Sequence, residues 1–567
     1  MDKIKTSYKS NYQKILLAFF VCGVIASLIF RIQYTTSRYD ETFNIWISAR
    51  TIFGDRYLID NPYVFQTGDL WNMPFISLWF NMTGGLQGIV LWIRFCYLSL
   101  NLLVFALSVY LLKRYIKKEF LIVGGLLIPT FAFACIYSIS YDSTYMMFLT
   151  VGSLFLSAAM LEDKNTIKTR MFNLATGVSY ACMCYSYPTM LVVLPVIGLG
   201  AIVWVLKERR YSLRQAIHFF LPEVIGGMLV FGIFLIYIFS VGFENTIFAN
   251  GMFDSLVSDG RPLDQGENGG VFHIVYTVTI NAWNAMWFLL NSQKKLYFLS
   301  IFFFIQYIIG LVKGRKWIPV ALCFEIVIAA FAFFFRTNGY DYFDNSYIYG
   351  YYVLWGILFS FYLKDGKHKK ISRLCMAIAI IPSLFSFCVV ANTALYNIKA
   401  AEGLYIGGVC SIVIMGMVCF ENMQESVTLI FLITAVLVNL GTFYNNSYEG
   451  DKWYACNYKI NSGILQGLHV GNEDEYYEKL EQQVGQLLDD NSSTMYCSIQ
   501  YIGAYLWTGK KEAKLPSKTV EKEKWADNLI LAREEFNGMS AEQKMIISDN
   551  YECIYTLEDC MVWERMD

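Results

Sequence analysis

Apolar residues along this chain come in long blocks separated by short polar stretches. A helix needs about 17–25 such residues to cross a bilayer, and thirteen blocks qualify: 15–30, 87–112, 121–137, 144–161, 171–185, 189–206, 221–241, 296–312, 318–335, 347–363, 374–392, 404–420 and 427–442. The first follows Lys3, Lys5, Lys9 and Lys14 and has no small-residue cleavage site after it, which predicts a retained anchor rather than a removed signal peptide. Two connections are long, 31–86 and roughly 242–295. The second contains "DSLVSDGRPLDQGENGG", whose Gly, Asp and Pro content predicts an irregular, lid-like loop.

From 443 onward the pattern turns polar and acidic. "DEYYEKLEQQVGQLL" repeats Tyr476, Leu480, Val484 and Leu487 at helical spacing, while "STMYCSIQY" and "YECIYTL" are short and β-rich. The expected fold class is therefore an all-α polytopic membrane protein of about thirteen transmembrane helices (residues 1–442), followed by a small exterior α/β domain at 443–567.

Composition agrees: 56% of the 567 residues are hydrophobic, 17% aromatic and only 16% charged, against roughly a quarter charged in soluble domains. A net charge of −1 without a basic run argues against a nucleic-acid partner. Lys and Arg are distributed unevenly. The amino-terminal tail and the loops at 113–120, 162–170, 207–214, 313–317 and 364–373 hold 23 of them. The alternate loops at 138–143, 186–188, 336–346 and 393–403 hold only Arg336 and Lys399. The bias predicts a cytoplasmic amino terminus and an exterior carboxyl-terminal domain in the cell membrane. Ten of the 14 cysteines lie in or beside apolar spans, where they read as small hydrophobes. Cys456, Cys497, Cys553 and Cys560 lie in the tail, where disulfides could persist. The four histidines are far apart in sequence, so no His-rich metal site can be read.

Polar residues at unusual places mark the candidate chemistry. "TSRYDETFNIW" sets Asp40 and Glu41 side by side, just after the first span. Phe43, Trp46, Ile47 and Phe53 share one face at helical spacing, describing an amphipathic helix on the outer membrane surface. Ser37 and Asp40 could cap that helix, with the carboxylates complementing its dipole, and this reading needs no chemistry. Asp142 in "YDST" opens the fourth span and can be read as another helix cap. Arg94 sits about two turns inside the second span, where a cation needs an anionic partner. Either a carboxylate of the chain or a ligand phosphate would serve.

In that order these features resemble the GT-C superfamily of polytopic glycosyltransferases, especially the protein O-mannosyltransferase and lipid A aminoarabinose transferase branch. The acidic pair matches Asp40 and Glu41; "A-R" and then "G" match Ala49, Arg50 and Gly54; the "N-P" turn matches Asn61 and Pro62. A proline-led helix start matches "MPFISLW" at 73–79, and the second-span arginine and fourth-span aspartate match Arg94 and Asp142. The fifth-span motif matches "GVSYACMCYSYPTM" in outline. Met73 and Ser186 replace two lysines that help those enzymes hold the carrier phosphate, and Arg336 is a candidate substitute, or an ordinary loop-end charge. The resemblance covers about residues 10–206 with useful specificity.

What it implies is an inverting transferase moving a sugar from a polyprenyl-phosphate carrier to an envelope glycan, lipid or protein acceptor outside the membrane. Asp40, Glu41 and Asp142 would form the catalytic group, with Arg94, Arg50 and Arg336 around the donor phosphate. No cofactor is required, and a divalent cation could be accommodated. Two other classes stay open: a transporter or flippase of lipid-linked sugars, which should show repeated halves and broken helices, and a noncatalytic envelope-assembly protein.

Overall fold

The structure, a computed structural model, describes residues 2–36, 40–60, 66–130, 137–162, 165–246, 249, 271–292, 294–336, 344–393, 397–445, 452–471, 475–488, 494–557 and 559–566. They are mostly helical, as expected of a polytopic membrane protein. Among them, nine helices are long and apolar enough to cross a membrane: Gln13–Arg31, Ile89–Leu112, Tyr141–Leu161, Pro188–Glu208, Leu213–Val241, Lys294–Lys313, Gly366–Asn392, Glu402–Asn422 and Glu425–Tyr444. Trp317–Ala332 and Ile348–Ser360 are shorter apolar helices. The block at 171–185 also lies in a helix, Ile167–Ser186.

Within the membrane body, one predicted span and one predicted loop differ from the structure. Of the block at 121–137, only the start is helical, within Lys118–Gly125; turns follow, and 131–136 lie outside the described residues. The connection at 242–295 is not irregular throughout, because Val271–Ser292 is a 22-residue helix. His273, Thr277, Thr279, Asn281 and Asn284 interrupt its apolar run and disguise it in the sequence. Its Tyr276, Trp283 and Trp287 are exposed, while Ala285 and Leu289 are buried. Asn281 donates to Asn392 Oδ1 at 3.1 Å and Asn392 donates to Val278 O at 3.2 Å, tying this helix to Ile381–Thr393. The "DSLVSDGRPLDQGENGG" stretch lies outside the described residues.

The chain forms two compact units. The first comprises Met1–Leu28, Leu98–Ala134 and Asp142–Asn446 and is a helical bundle. Its most extensive helix pair is Ile167–Ser186 with Leu213–Val241. Thr166 and Ser212 start these helices with capping boxes, each side chain accepting from the backbone N–H three residues on. The two backbones nearly touch: a Cβ on Gly177 would fall 1.8 Å from Glu223 O, and one on Gly226 would fall 2.3 Å from Leu174 O. Lipid surroundings supply little hydrophobic drive between helices, so such small-residue contacts carry the packing. Asn173 adds a hydrogen bond to Phe219 O at 2.5 Å.

The second unit comprises Ile29–Tyr97, Cys135–Tyr141 and Ser447–Asp567, so the long first loop and the polar tail fold together. Strands β1 (Tyr458–Lys459) and β2 (His469–Val470) form a small antiparallel pair. β3 (Thr494–Cys497), β4 (Lys511–Glu512), β5 (Asn528–Ala532), β6 (Tyr551–Leu557) and β7 (Cys560–Arg565) form a mixed sheet in the order β4-β3-β5-β7-β6. β3 runs parallel to β4 and β5, whereas β7 runs antiparallel to β5 and β6. All five residues of β5 are buried, as its unbroken "NLILA" requires of a central strand. Leu529, Leu531, Ile547, Tyr551 and Trp563 make the sheet's core. Helix Glu475–Leu487 occupies the stretch whose spacing predicts it. Cys456, Cys497, Cys553 and Cys560 are free thiols.

The glycine contact gives a direct test. Gly177→Leu should lower the thermal midpoint in detergent sharply, because the obstruction is backbone and cannot rotate away. Gly232→Leu, on the same partner helix with nothing within 4 Å of its added Cβ, should leave the midpoint nearly unchanged. Equal midpoints for the two variants would show that the close crossing does not hold this pair together.

Candidate active site

Asp40 and Glu41 begin helix Asp40–Ala49, and their fates differ. Glu41 is fully buried and meets Arg94, itself only 1% exposed. Arg94 Nε donates to Glu41 Oε1 at 2.9 Å and Nη2 donates to Oε2 at 2.5 Å, the two-pronged geometry that a planar guanidinium offers a carboxylate. The third edge of Arg94 donates from Nη1 to Ile32 O at 2.8 Å. Asp40 is half-buried and makes no hydrogen bond or ion pair among the described residues.

The backbone leading into this helix is held just as firmly. Thr35 N donates to His469 O at 2.8 Å and His469 N donates to Gln33 O at 2.7 Å, stitching the chain after the first span onto β2. The His469 ring stacks on Tyr34 at 4.8 Å; burial and then Lys459 hold its pKa below the ordinary histidine value. Arg31, fully buried, donates to Tyr34 O at 2.9 Å and lies 5.1 Å from the centre of the Tyr137 ring. Arg94 lies 5.7 Å from the same ring. Two guanidiniums thus pack against one aromatic ring beside one buried carboxylate. Sequence reasoning missed Arg31 and Tyr137. The available signal was an arginine ending the first span on its basic-poor side.

Helix Asp40–Ala49 is not the interfacial helix its periodicity suggests. Eight of its ten residues are buried, including Thr42, Asn44 and Ser48 on its polar face. Ser48 donates back to Asn44 O at 3.1 Å, so part of that face is satisfied within the helix. Trp46 stacks on Tyr505 at 4.7 Å and 11°. The helix is a core element of its unit, covered on both faces by protein.

Arg50, expected near a donor phosphate, is 5% exposed and committed elsewhere. Gly54, at φ +96°, turns the chain so that Asp55 N donates to Arg50 O at 3.0 Å and Asp55 accepts from Arg50 Nε at 2.6 Å. Arg50 Nη1 pairs with Glu512 of β4, and Nη2 donates to Asp60 O at 3.2 Å. Arg50 also lies 5.6 Å from the Trp46 ring. Arg94 and Arg50 are therefore ion-pair centres of the fold, and their guanidiniums are turned toward chain carboxylates rather than toward an open site.

Other assignments are placed as follows. Asp142, 4% exposed, lies in the first turn of Tyr141–Leu161 in the helical unit, where a carboxylate complements the dipole. Arg336 ends helix Trp317–Arg336, and its side chain lies outside the described residues, as do Ser37, Asn61 and Pro62. Pro74 opens helix Met73–Thr83 as "MPFISLW" predicts. Ser186 donates to Cys182 O at 2.9 Å.

No family model matches this sequence, and no curated relative matches it either. Among solved structures, the chain is similar to the crystal structure of ArnT from Cupriavidus metallidurans bound to undecaprenyl phosphate, at 10% identity and a TM-score of 0.42, over 97% of each chain.

The buried pair yields a quantitative expectation. Removing one partner of such a pair costs about 3–5 kcal/mol, whereas replacing both by apolar groups is often near neutral. Glu41→Leu and Arg94→Met should each lower the thermal midpoint in detergent, and the double variant, with both partners apolar, should recover most of the loss. Additive losses in the double variant would show that the two side chains do not depend on each other.

Proposed function

We propose that this protein is an inverting glycosyltransferase of the cell envelope, taking its sugar from a polyprenyl-phosphate carrier, with Asp40 as the general base. The observation that carries the reading is the division of labour in the acidic pair. Glu41 is closed off by Arg94, while Asp40, the residue before it, is only partly buried and binds no other described residue. The order of motifs from Asp40 to Asp142 supports the same reading.

The chemistry follows from the donor. A sugar on a polyprenyl phosphate already carries a good leaving group, so no strong acid is required to expel it. The acceptor hydroxyl is a poor nucleophile until its proton is taken. Its oxygen attacks the anomeric carbon, the bond from that carbon to the phosphate oxygen breaks, the proton passes to Asp40, and the polyprenyl phosphate departs. A single displacement of this kind inverts the anomeric centre.

In this scheme Glu41 and Arg94 act by position: their pair fixes the helix on which Asp40 stands. Asp142 orients the acceptor. Of the three arginines first assigned to the phosphate, Arg94 and Arg50 are engaged by carboxylates, and the proposal retains Arg336 for that contact.

The test is Asp40→Asn in purified, folded protein supplied with a lipid-linked sugar donor. General-base catalysis contributes about 10²–10⁴-fold, so transfer should fall by that range while donor binding persists. Near-normal turnover would return Asp40 to the role of a helix-terminal carboxylate and remove the proposal's central residue.

A further inference from the structure

The helical unit contains a cavity of about 450 Å³ that none of the candidate catalytic residues lines. Its walls are apolar, with Leu112, Leu154, Ile378, Val409, Val413 and Leu432 among them. Its volume falls within the roughly 300–1,000 Å³ typical of ligand sites. At one end it is lined by Lys117, Asp365, Lys367 and His368, of which Lys117 and Asp365 are plainly exposed, so the cavity opens there.

The charge around that mouth is lopsided. Lys117 and Lys367 line it, within two segments, "KRYIKK" at 113–118 and "KDGKHKK" at 364–370, that together hold eight Lys and Arg. Three of the nearby acids are already engaged, and Glu119 has no ion pair among the described residues. Asp365 accepts from Lys367 N at 2.7 Å and His368 N at 3.1 Å as a helix cap. Glu421 accepts from the backbone of Lys364 and Asp365 and lies 3.1 Å from His368 Nδ1. Glu425 pairs with Lys117. Lys367 is exposed and has no ion pair among the described residues.

Two further features single out this cavity. One wall carries a π-helical turn, Met376–Ile380, interrupting the helix between Gly366–Cys375 and Ile381–Thr393; such turns are frequent at functional sites. Thr428, 2% exposed and on the lining, has a buried hydroxyl without a hydrogen-bond partner among the described residues.

We propose that this cavity is a binding site for an anionic glycerophospholipid, one acyl chain in the apolar interior and the phosphate at Lys367, with Lys117, shared with Glu425, beside it. An apolar slot with a polybasic rim matches that one class of molecule at both ends. Basic pockets between transmembrane helices bind anionic headgroups in this way, and each nearby lysine adds to the attraction. The proposal stands apart from the transferase reading, since it uses no residue of that site.

The test uses the full-length protein, delipidated in detergent and offered palmitoyl-oleoyl phosphatidylglycerol and palmitoyl-oleoyl phosphatidylcholine in equal amounts, with bound lipid read by native mass spectrometry. Phosphatidylglycerol should be retained about tenfold over phosphatidylcholine. Lys117→Ala with Lys367→Ala should bring the ratio close to one. Lys313→Ala with Lys316→Ala, in a basic loop that does not line the cavity, should leave it unchanged. Ser157→Phe, which fills the lining, should abolish retention of both lipids. Equal retention of the two lipids by the unaltered protein would overturn the headgroup assignment. The same loss from the Lys313/Lys316 variant would reduce the effect to general surface charge. A folded Ser157→Phe protein that keeps its lipid would remove the cavity as the site; if that variant does not fold, the two lysine variants decide alone.

Discussion

The arrangement of the second unit depends on one buried ion pair. Arg94 lies in a span and Glu41 in a loop helix, 53 residues away, and neither could be buried alone. A lone buried guanidinium would keep its desolvation penalty in full. Paired, it gains two charge-assisted hydrogen bonds to Glu41 and a third to Ile32 O. Such a pair adds little net stability over a well-packed apolar alternative, but any arrangement that separates the partners is expensive. Its effect here is to specify where helix Asp40–Ala49 sits against Ile89–Leu112. Adjacent residues on a helix point about 100° apart, so fixing Glu41 inward also fixes the direction in which Asp40 can point.

Arg50 repeats the logic at the other end of the same helix. It follows the last helical residue and gathers Asp55, Asp60 O and Glu512 from as far as 462 residues away. The sheet element β4 is thereby tied to the first loop. With Arg94 near its start and Arg50 at its end, a ten-residue helix that would be marginal alone is held at both termini.

The sequence was most legible where a single dominant force acts. Long apolar windows locate most of the membrane-spanning helices, because only a helix satisfies its backbone in lipid. The buried strand β5 and helix Glu475–Leu487 are legible for the similar reason that one face or the whole element must be covered. Legibility was lost where polarity is satisfied locally. Ser48 bonds within its helix and Asn281 bonds to Asn392, so each polar residue mimics an exposed one in the sequence while sitting in or beside a packed contact. For the candidate site, the residue types were readable and the pairing was not. Arg94 demands an anion on principle, yet nothing in the local sequence distinguishes Glu41 from a ligand phosphate.

The helical unit shows why a large cavity within it is meaningful. Its helices elsewhere approach to backbone contact: a Cβ on Gly200 would fall 2.2 Å from Ala377 O, and one on Gly356 would fall 2.1 Å from the Ser411 hydroxyl. Ala377 belongs to the π-helical turn that borders the cavity. The wall on that side is thus pressed tightly outward against a neighbouring helix rather than loosely packed. Empty apolar space is costly in proteins, about 24 cal/mol per Å³ where it has been measured. The space here opens at its lysine-rich mouth, so the cost falls on apolar walls left without a partner rather than on a sealed void. That a bundle able to close glycine against carbonyl keeps this space open fits a site that a molecule fills. Apolar walls make water a poor filler, and the lysine-rich mouth favours a chain that ends in a negative charge.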